Sequence, residues 1–91
     1  MILVSYDISN DKLRNRFSKF LEKFGHRLQY SVFEITNSKR MLDNIMCEIT
    51  SNFEKQFGQE DSVILIETSK NCKINKWGYA KNDNNDIIVI N

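Results

Sequence analysis

The chain has 91 residues, which is enough for one domain with two helices and four or five strands. A hydrophobic content of 41% excludes a disordered chain, and the lack of a long apolar run predicts no membrane association. The net charge is only +1, so the total charge says nothing about a nucleic-acid partner.

The charge is unevenly distributed along the chain. Residues 1–40 contain eight Lys or Arg and four Asp or Glu residues, whereas residues 41–91 contain five and eight. The N-terminal part is therefore the candidate surface for a polyanion.

A strand and an amphipathic helix open the chain. Residues 2–6 are typical of a strand with apolar side chains on both faces, and Asp7 follows directly. Ser9 and Asn10 are suitable helix caps. Gly25 is expected to end the helix in a left-handed conformation. Between the caps and Gly25, apolar residues recur with helical period at Leu13, Phe17, Phe20, Leu21 and Phe24.

Two short strands, a second helix and a fourth strand follow. The alternation of apolar residues slips by one position, which predicts strands near 26–30 and 32–36 with a bulge or tight reversal between them. A buried strand is predicted at 62–68. The helix is expected to begin near 36–38 and to end before Gly58, with a core face of Leu42, Ile45, Met46, Ile49 and Phe53.

This order predicts an α+β, ferredoxin-like domain (strand–helix–strand–strand–helix–strand) covering residues 1–91. Residues 69–91 are interpreted as a C-terminal extension, with a polar loop at 69–86 that has room for one short strand and a final strand at 87–90.

A two-fold homodimer is predicted from the pattern of the strands. Both helices of such a fold cover one face of the sheet, yet strands 2–6 and 63–66 are apolar on both faces. A second copy of the chain is the expected cover, and strand 87–90 is expected to dock on that partner. The alternative is that strand 87–90 pairs within its own sheet.

Asp7 is the first candidate for chemistry, because it leaves a buried strand just before a helix. Strand alternation places it on the open sheet face with Leu3 and Ser5. In a two-fold dimer, a pair of Asp7 carboxylates with bridging waters could hold a metal that activates water against a phosphodiester. The alternative is that Asp7 only caps the helix together with Ser9.

A row of cations on the first helix is the second candidate. Four residues recur at helical spacing without an acidic residue among them, and Arg14 lies on the other flank. Such a row suits a phosphate backbone, although an ordinary solvated helix face looks the same. Arg27, Lys39 and Arg40 could extend it. We call the four residues the basic ridge: Lys12, Arg16, Lys19 and Lys23.

Other reactive side chains carry weaker signals. His26 is the only histidine and is interpreted as structural rather than as a general base. Cys47 and Cys72 stand in no metal-binding pattern, which predicts reduced thiols and a cytoplasmic location. Trp77 and Tyr79 are interpreted as packing residues rather than base-stacking ones.

Several segments together resemble the CRISPR-associated Cas2 family, over nearly the whole sequence. Leu13 departs from it, since a second basic residue often occupies that position. The matching segments are Val4-Ser5-Tyr6-Asp7-Ile8, the helix with Arg14, Gly25-His26-Arg27-Leu28-Gln29-Tyr30-Ser31-Val32-Phe33-Glu34, Asp61-Ser62-Val63-Ile64-Leu65-Ile66, Cys72-Lys73-Ile74 and Gly78.

The resemblance implies a ferredoxin-like homodimer that bridges two dimers of the Cas1 integrase and holds prespacer DNA during CRISPR spacer acquisition. It also implies a metal-dependent endoribonuclease, with some members cutting double-stranded DNA. Mg²⁺ is then bound by Asp7 together with Asp7 of the partner subunit. The basic ridge, Arg14 and Arg27 become the nucleic-acid contacts. A non-catalytic adaptor and, more remotely, a toxin-type ribonuclease are the alternatives.

Overall fold

The computed structural model describes residues 1–36, 38–69 and 71–79. Its order of elements confirms the predicted α+β, ferredoxin-like arrangement and adds a fifth strand within the extension. The strands are β1 (Ile2–Asp7), β2 (Gly25–Gln29), β3 (Val32–Ile35), β4 (Ser62–Glu67) and β5 (Lys73–Gly78), and the helices are α1 (Asp11–Glu22) and α2 (Lys39–Glu48).

The strands form one antiparallel sheet in the order β2-β3-β1-β4-β5, so β1 is its central strand. Val4 pairs with Phe33 on one side and with Leu65 on the other, and all three are fully buried. Asp7 is the last residue in register and pairs with Ser62 of β4. Asp7 therefore lies where the central strand ends, between its two neighbouring strands.

Both helices cover the same face of the sheet. Alternate strand residues such as Val4, Tyr6 and Val63 are buried together with side chains from α1 and the second helical segment. Phe17 of α1 is the centre of this core, with edge-to-face contacts to Tyr6 at 5.2 Å and to Phe53 at 5.0 Å.

The opposite face, which we call the open face, has no covering element among the described residues. The register places on it one set of alternate residues from each of four strands. Most of them are partly exposed. They are Leu3, Ser5, Asp7, Val32, Glu34, Ser62, Ile64, Ile66, Ile74 and Lys76.

Helix α1 begins as predicted but ends differently. The side chain of Asn10 accepts a hydrogen bond from the Leu13 N–H at 2.9 Å, so Asn10 is the N-cap. The predicted left-handed Gly25 is wrong, because Gly25 is already the first residue of β2 and its φ is not positive. Glycine is needed there for space, since a Cβ would lie 1.9 Å from the carbonyl oxygen of Glu34.

The second helical segment is regular only in its first part. Ser38 caps α2, and the chain continues through a π turn at Ile49–Phe53 and a 3-10 turn at Glu54–Gln56. The hydroxyl of Thr50, within the π turn, accepts a hydrogen bond from the Trp77 indole at 2.9 Å. The second helical segment therefore ends just before Gly58, as predicted, but its last turns have π and 3-10 winding instead of α winding.

The extension contributes β5, which pairs with β4 over its whole length. This is the short strand expected within 69–86, and Trp77 is a packing residue with only 5% exposure. Tyr79 is not a packing residue, since it is 59% exposed. The final strand predicted at 87–90 lies outside the described residues. None of the described helices is long and apolar enough to cross a membrane.

Candidate nucleic-acid and metal site

Asp7 is an exposed carboxylate at the end of a strand whose other residues are largely buried. It shares the open face with Leu3 and Ser5, as the alternation predicts. Its side chain makes no hydrogen bond or ion pair with any residue in the described part of the chain. A charged group held in place by a rigid strand and left unpaired is available to a ligand.

The capping interpretation of Asp7 is wrong. Asn10 is the N-cap of α1, three residues beyond Asp7. Ser9, the expected partner in capping, instead donates both its N–H and its hydroxyl to Asp61, at 2.9 and 3.0 Å. Nothing in the local hydrogen bonding of α1 therefore requires Asp7.

A cavity of about 500 Å³ opens beside Asp7. Its lining is polar at one side, with the hydroxyl-bearing residues Ser5, Ser31 and Ser62. Tyr30 and Arg14 complete it towards the β2–β3 turn and α1. The cavity is half open to solvent, which is suited to a ligand that extends beyond the site.

The donor set of one chain fits a magnesium ion only in part. Oxygen ligands are what Mg²⁺ requires, and it commonly uses one or two carboxylates with waters and a phosphate. Among the residues that the structure describes, Asp7 is the one carboxylate that lines the cavity. Within the described residues, no three His, Cys, Asp or Glu side chains are grouped closely enough to bind a metal. A single chain thus offers half of a carboxylate pair.

Asp61 is the residue that sequence reasoning missed as part of this site. It is 2% exposed and immediately precedes β4, next to the position that pairs with Asp7. Besides Ser9, the Gly58 N–H donates to its carboxylate at 2.8 Å. Burial raises the pKa of Asp61, but the hydrogen bonds from Ser9 and Gly58 outweigh burial and leave the pKa below its usual value. The local signal in the sequence was the turn residue Gly58, three positions before Asp61, whereas Ser9 is distant in the sequence.

Arg14 and Arg27 are both engaged within the chain. Arg14 forms an ion pair with Asp11 and donates to the carbonyl oxygen of Ile8 at 3.1 Å. Arg27 donates to the Tyr30 carbonyl and lies over the Phe33 ring, 5.0 Å from its centroid. These two arginines fix the β1–α1 loop and the β2–β3 turn, and only their remaining N–H groups are free for a ligand.

All four residues of the basic ridge are exposed, on the outer side of α1. Arg16 donates to the side chain of Gln56 at 2.6 Å, which links the ridge to the end of the second helical segment. The ridge lies on a different side of α1 from Arg14, which lines the Asp7 cavity. It is therefore a surface of its own and not part of that cavity.

The remaining candidates lie away from Asp7. The His26 side chain is 68% exposed and lies 3.9 Å from Glu34, on the open face of edge strand β2. Cys47 and Cys72 are both exposed and free, and neither lines the cavity. The interpretation of His26 as structural stays a prediction.

Two helices on one face of a five-stranded antiparallel sheet, with an unpaired carboxylate at the end of the central strand, define a small ferredoxin-like α+β protein. Residues 1–76 match the family model of the CRISPR associated protein Cas2. The chain belongs to this family.

Curated relatives span nearly the whole chain. A CRISPR-associated endoribonuclease Cas2 of Thermococcus kodakarensis is 34% identical over 87 residues, covering 96% of this chain and 98% of the relative. The CRISPR-associated endoribonuclease Cas2 3 of Synechocystis sp. is 30% identical over 80 residues, or 86% of this chain and 84% of the relative.

A solved structure has the same fold. The crystal structure of Streptococcus pyogenes Cas2 at pH 6.5 aligns with a TM-score of 0.61 and 25% sequence identity. The alignment covers 77% of this chain and 87% of that chain.

Proposed function

We propose that this chain is a metal-dependent endoribonuclease of the CRISPR system that works as a two-fold homodimer with Asp7 as its catalytic and metal-binding residue. The observation that carries the proposal is Asp7 itself, an unpaired carboxylate at the end of the central strand, beside an open polar cavity. The relatives of similar length are named endoribonucleases, which supports the class of reaction.

Dimerisation follows from the open face. Leu3, Ile64 and Ile66 are partly exposed there, next to Asp7 along the same strands. Covering this apolar surface with a second copy removes it from water. The same two-fold operation brings Asp7 towards Asp7 of the partner subunit and completes the carboxylate pair that a single chain lacks.

The metal that we propose is Mg²⁺. When bound, it polarises a phosphodiester and lowers the pKa of a bound water. The contribution of the chain is to hold the Asp7 carboxylate on the rigid end of β1 and to surround it with hydroxyl groups from Ser5, Ser31 and Ser62. Arg14, at the same cavity, supplies positive charge beside a phosphate.

The basic ridge is proposed to bind the nucleic-acid backbone, with Arg14 and Arg27 as further contacts. Its four side chains are exposed along one side of α1, which suits sequence-independent phosphate contacts. In CRISPR adaptation, this surface holds prespacer DNA while the dimer bridges Cas1 integrase dimers. Residues 69–91 act as an extension whose last strand, 87–90, docks on the partner.

A purely structural adaptor is the second candidate. The observation in its favour is that the basic ridge does not line the Asp7 cavity, so the protein can bind DNA without using Asp7. Under this alternative the dimer positions DNA and integrase and performs no chemistry.

Substitution of Asp7 separates the two functions. We expect Asp7→Ala and Asp7→Asn to reduce Mg²⁺-dependent cleavage of a labelled RNA to the level seen in EDTA. Asp43→Ala, which removes an exposed carboxylate from α2, is the matched control and retains cleavage. DNA binding is measured in parallel and is expected to be unchanged in every variant.

The adaptor function is supported instead if purified wild-type protein cleaves no RNA in Mg²⁺ beyond a preparation of Asp7→Ala. Spacer acquisition in cells then decides whether Asp7 matters at all. An Asp7→Ala strain that acquires spacers normally assigns the biological role to the scaffold.

A further inference from the structure

Tyr30 is an exposed aromatic residue beside the carboxylate. It lies in the turn between β2 and β3 and is 73% exposed, more than any other large hydrophobic side chain in the described ranges. It lines the same cavity as Asp7. Tyr30 belongs neither to the buried core nor to the partly buried residues packed against it, so the packing of the core does not account for its ring.

The turn that carries Tyr30 is fixed by several hydrogen bonds. Its carbonyl oxygen accepts from the Tyr6 hydroxyl at 3.4 Å and from the Arg27 guanidinium. The Tyr6 N–H donates to the Ser31 carbonyl at 3.1 Å, which ties the turn to β1 one residue before Asp7. The ring is therefore presented from a rigid backbone.

The side chain of Tyr30 also approaches α1. The pKa of Arg14 is raised mainly by its hydrogen bond to Asp11, and the hydroxyl of Tyr30 makes a smaller contribution. Tyr30 and Arg14 both line the Asp7 cavity. They also line a smaller cavity of about 60 Å³, together with Arg27.

We propose that Tyr30 is the residue of this site that stacks on a nucleobase. The proposal rests on the proposed function in one respect, namely that a nucleic-acid strand enters the Asp7 cavity. Stacking on an aromatic ring tolerates any base, because every base has a π face. In a duplex those faces are already stacked on neighbouring base pairs, whereas an unpaired base is free to leave the strand and cover the ring.

The charges around Tyr30 favour a nucleic acid as its occupant. Arg14 and Arg27 both line a small cavity together with Tyr30, and the hydrogen bonds that they make with described residues leave some of their N–H groups free. A nucleotide matches both features, because its flat base can stack on the ring and its anionic phosphate can bind the arginines. A second copy of the chain covering Tyr30 is the competing occupant, and the experiment separates the two.

The test measures binding in EDTA, so that cleavage does not contribute. Labelled single-stranded RNA and a duplex of the same sequence are titrated with wild type, Tyr30→Ala and Tyr30→Phe. We expect Tyr30→Ala to weaken single-strand binding by about 5- to 150-fold for each stacked base and to leave duplex binding within about twofold. Tyr30→Phe keeps the ring and retains single-strand binding.

Two further readouts distinguish stacking from a general loss of affinity. A 2-aminopurine placed in the single strand is quenched on binding to wild type and to Tyr30→Phe but not to Tyr30→Ala. The dependence of affinity on salt concentration is the same for all three proteins, because no phosphate contact is removed. Leu28→Ala, an exposed apolar residue of β2 that does not line the cavity, is the control.

Several outcomes overturn the proposal. The first two are an equal loss of affinity for single strand and duplex in Tyr30→Ala, and no loss of affinity in that variant. The others are a wild type that does not bind single strands, and a change in self-association that accounts for the loss of affinity. Failure of the proposed function is a separate result, namely Asp7→Ala cleaving RNA as wild type does while the effect of Tyr30→Ala on binding persists.

Discussion

Asp7 and Asp61 lie at the neighbouring ends of β1 and β4, in opposite environments. Asp7 is exposed and unpaired among the described residues, whereas Asp61 is buried and accepts three hydrogen bonds, two of them from Ser9. Because Ser9 is two residues from Asp7, Asp61 fixes the loop into which Asp7 leads. One carboxylate is thus available to a ligand and the other holds the structure that presents it.

Replacement of Asp61 tests this division. Asp61→Asn loses the charge and leaves one of the backbone N–H groups of Ser9 and Gly58 without its acceptor. We expect a loss of about 1–3 kcal/mol in the free energy of unfolding, measured by urea denaturation at pH 7. Glu60→Gln, which removes the neighbouring exposed carboxylate, is the control and stays within about 0.5 kcal/mol of wild type.

The effect of Asp61→Asn on the free energy of unfolding is also expected to depend on pH. The pKa of Asp61 is lower in the folded than in the unfolded protein, so the unfolded state binds more protons in the interval between the two values. The stabilisation is complete above the unfolded pKa of about 3.9 and is lost as the pH falls through the folded pKa. We therefore expect the difference in unfolding free energy between wild type and Asp61→Asn to shrink in acid. A difference that is constant from pH 7 to pH 2 contradicts this role.

At the scale of elements, α1 has two sides with different tasks. Leu13, Phe17 and Leu21 are buried against the sheet, while the basic ridge is exposed on the outer side. Of its four cations, Arg16 is hydrogen-bonded to Gln56 and so is also tied to the second helical segment. Lys12 and Lys19 can therefore be replaced with little effect on the core.

Charge reversal tests the ridge as a phosphate-binding surface. We expect Lys12→Glu with Lys19→Glu to weaken DNA binding and to lower the slope of log affinity against log salt by about two, or nearly one for each lost phosphate contact. The double variant Lys55→Glu with Lys73→Glu carries the same change in net charge on other exposed lysines. An equal effect in both variants indicates that only total charge matters.

At the scale of the whole molecule, the open face is the side of the sheet that no element within residues 1–36, 38–69 and 71–79 covers. Its centre contains Leu3, Ile64 and Ile66, whereas the other face of the same strands is covered by helices. Several partly exposed apolar residues on adjacent strands form a continuous patch, which is typical of an interface. The Asp7 cavity lies at one end of this patch.

A charge placed on the open face is expected to separate the subunits of the proposed dimer. Ile66→Asp removes no core contact, so the variant folds but elutes and scatters light as a monomer. Because the described part of one chain places a single carboxylate at the cavity, we also expect Mg²⁺-dependent cleavage to be lost although Asp7 is intact. Met41→Asp, on the exposed side of α2, is the control. A monomeric Ile66→Asp that still cleaves RNA contradicts the shared site.

Some parts of the fold can be predicted from the sequence, and others cannot. The periodicity of α1 and the uninterrupted apolar runs of β1 and β4 are local signals, so the order of elements followed from them. The role of Gly25 did not, because the requirement for glycine comes from Glu34 on the opposite strand. The burial of Asp61 was missed for a similar reason, since two of its three hydrogen bonds come from the distant Ser9.

The sequence by itself determined that β1 ends in Asp7, that a helix with a cationic outer side follows, and that the sheet has apolar residues on both faces. Only the tertiary structure decided that Asn10, and not Asp7, caps the helix, that Asp61 holds the loop, and that Tyr30 lies beside the cavity. Helical and strand periods are properties of consecutive residues. A hydrogen bond from Ser9 to Asp61 joins residues 52 positions apart and exists only once the sheet has brought β1 and β4 together.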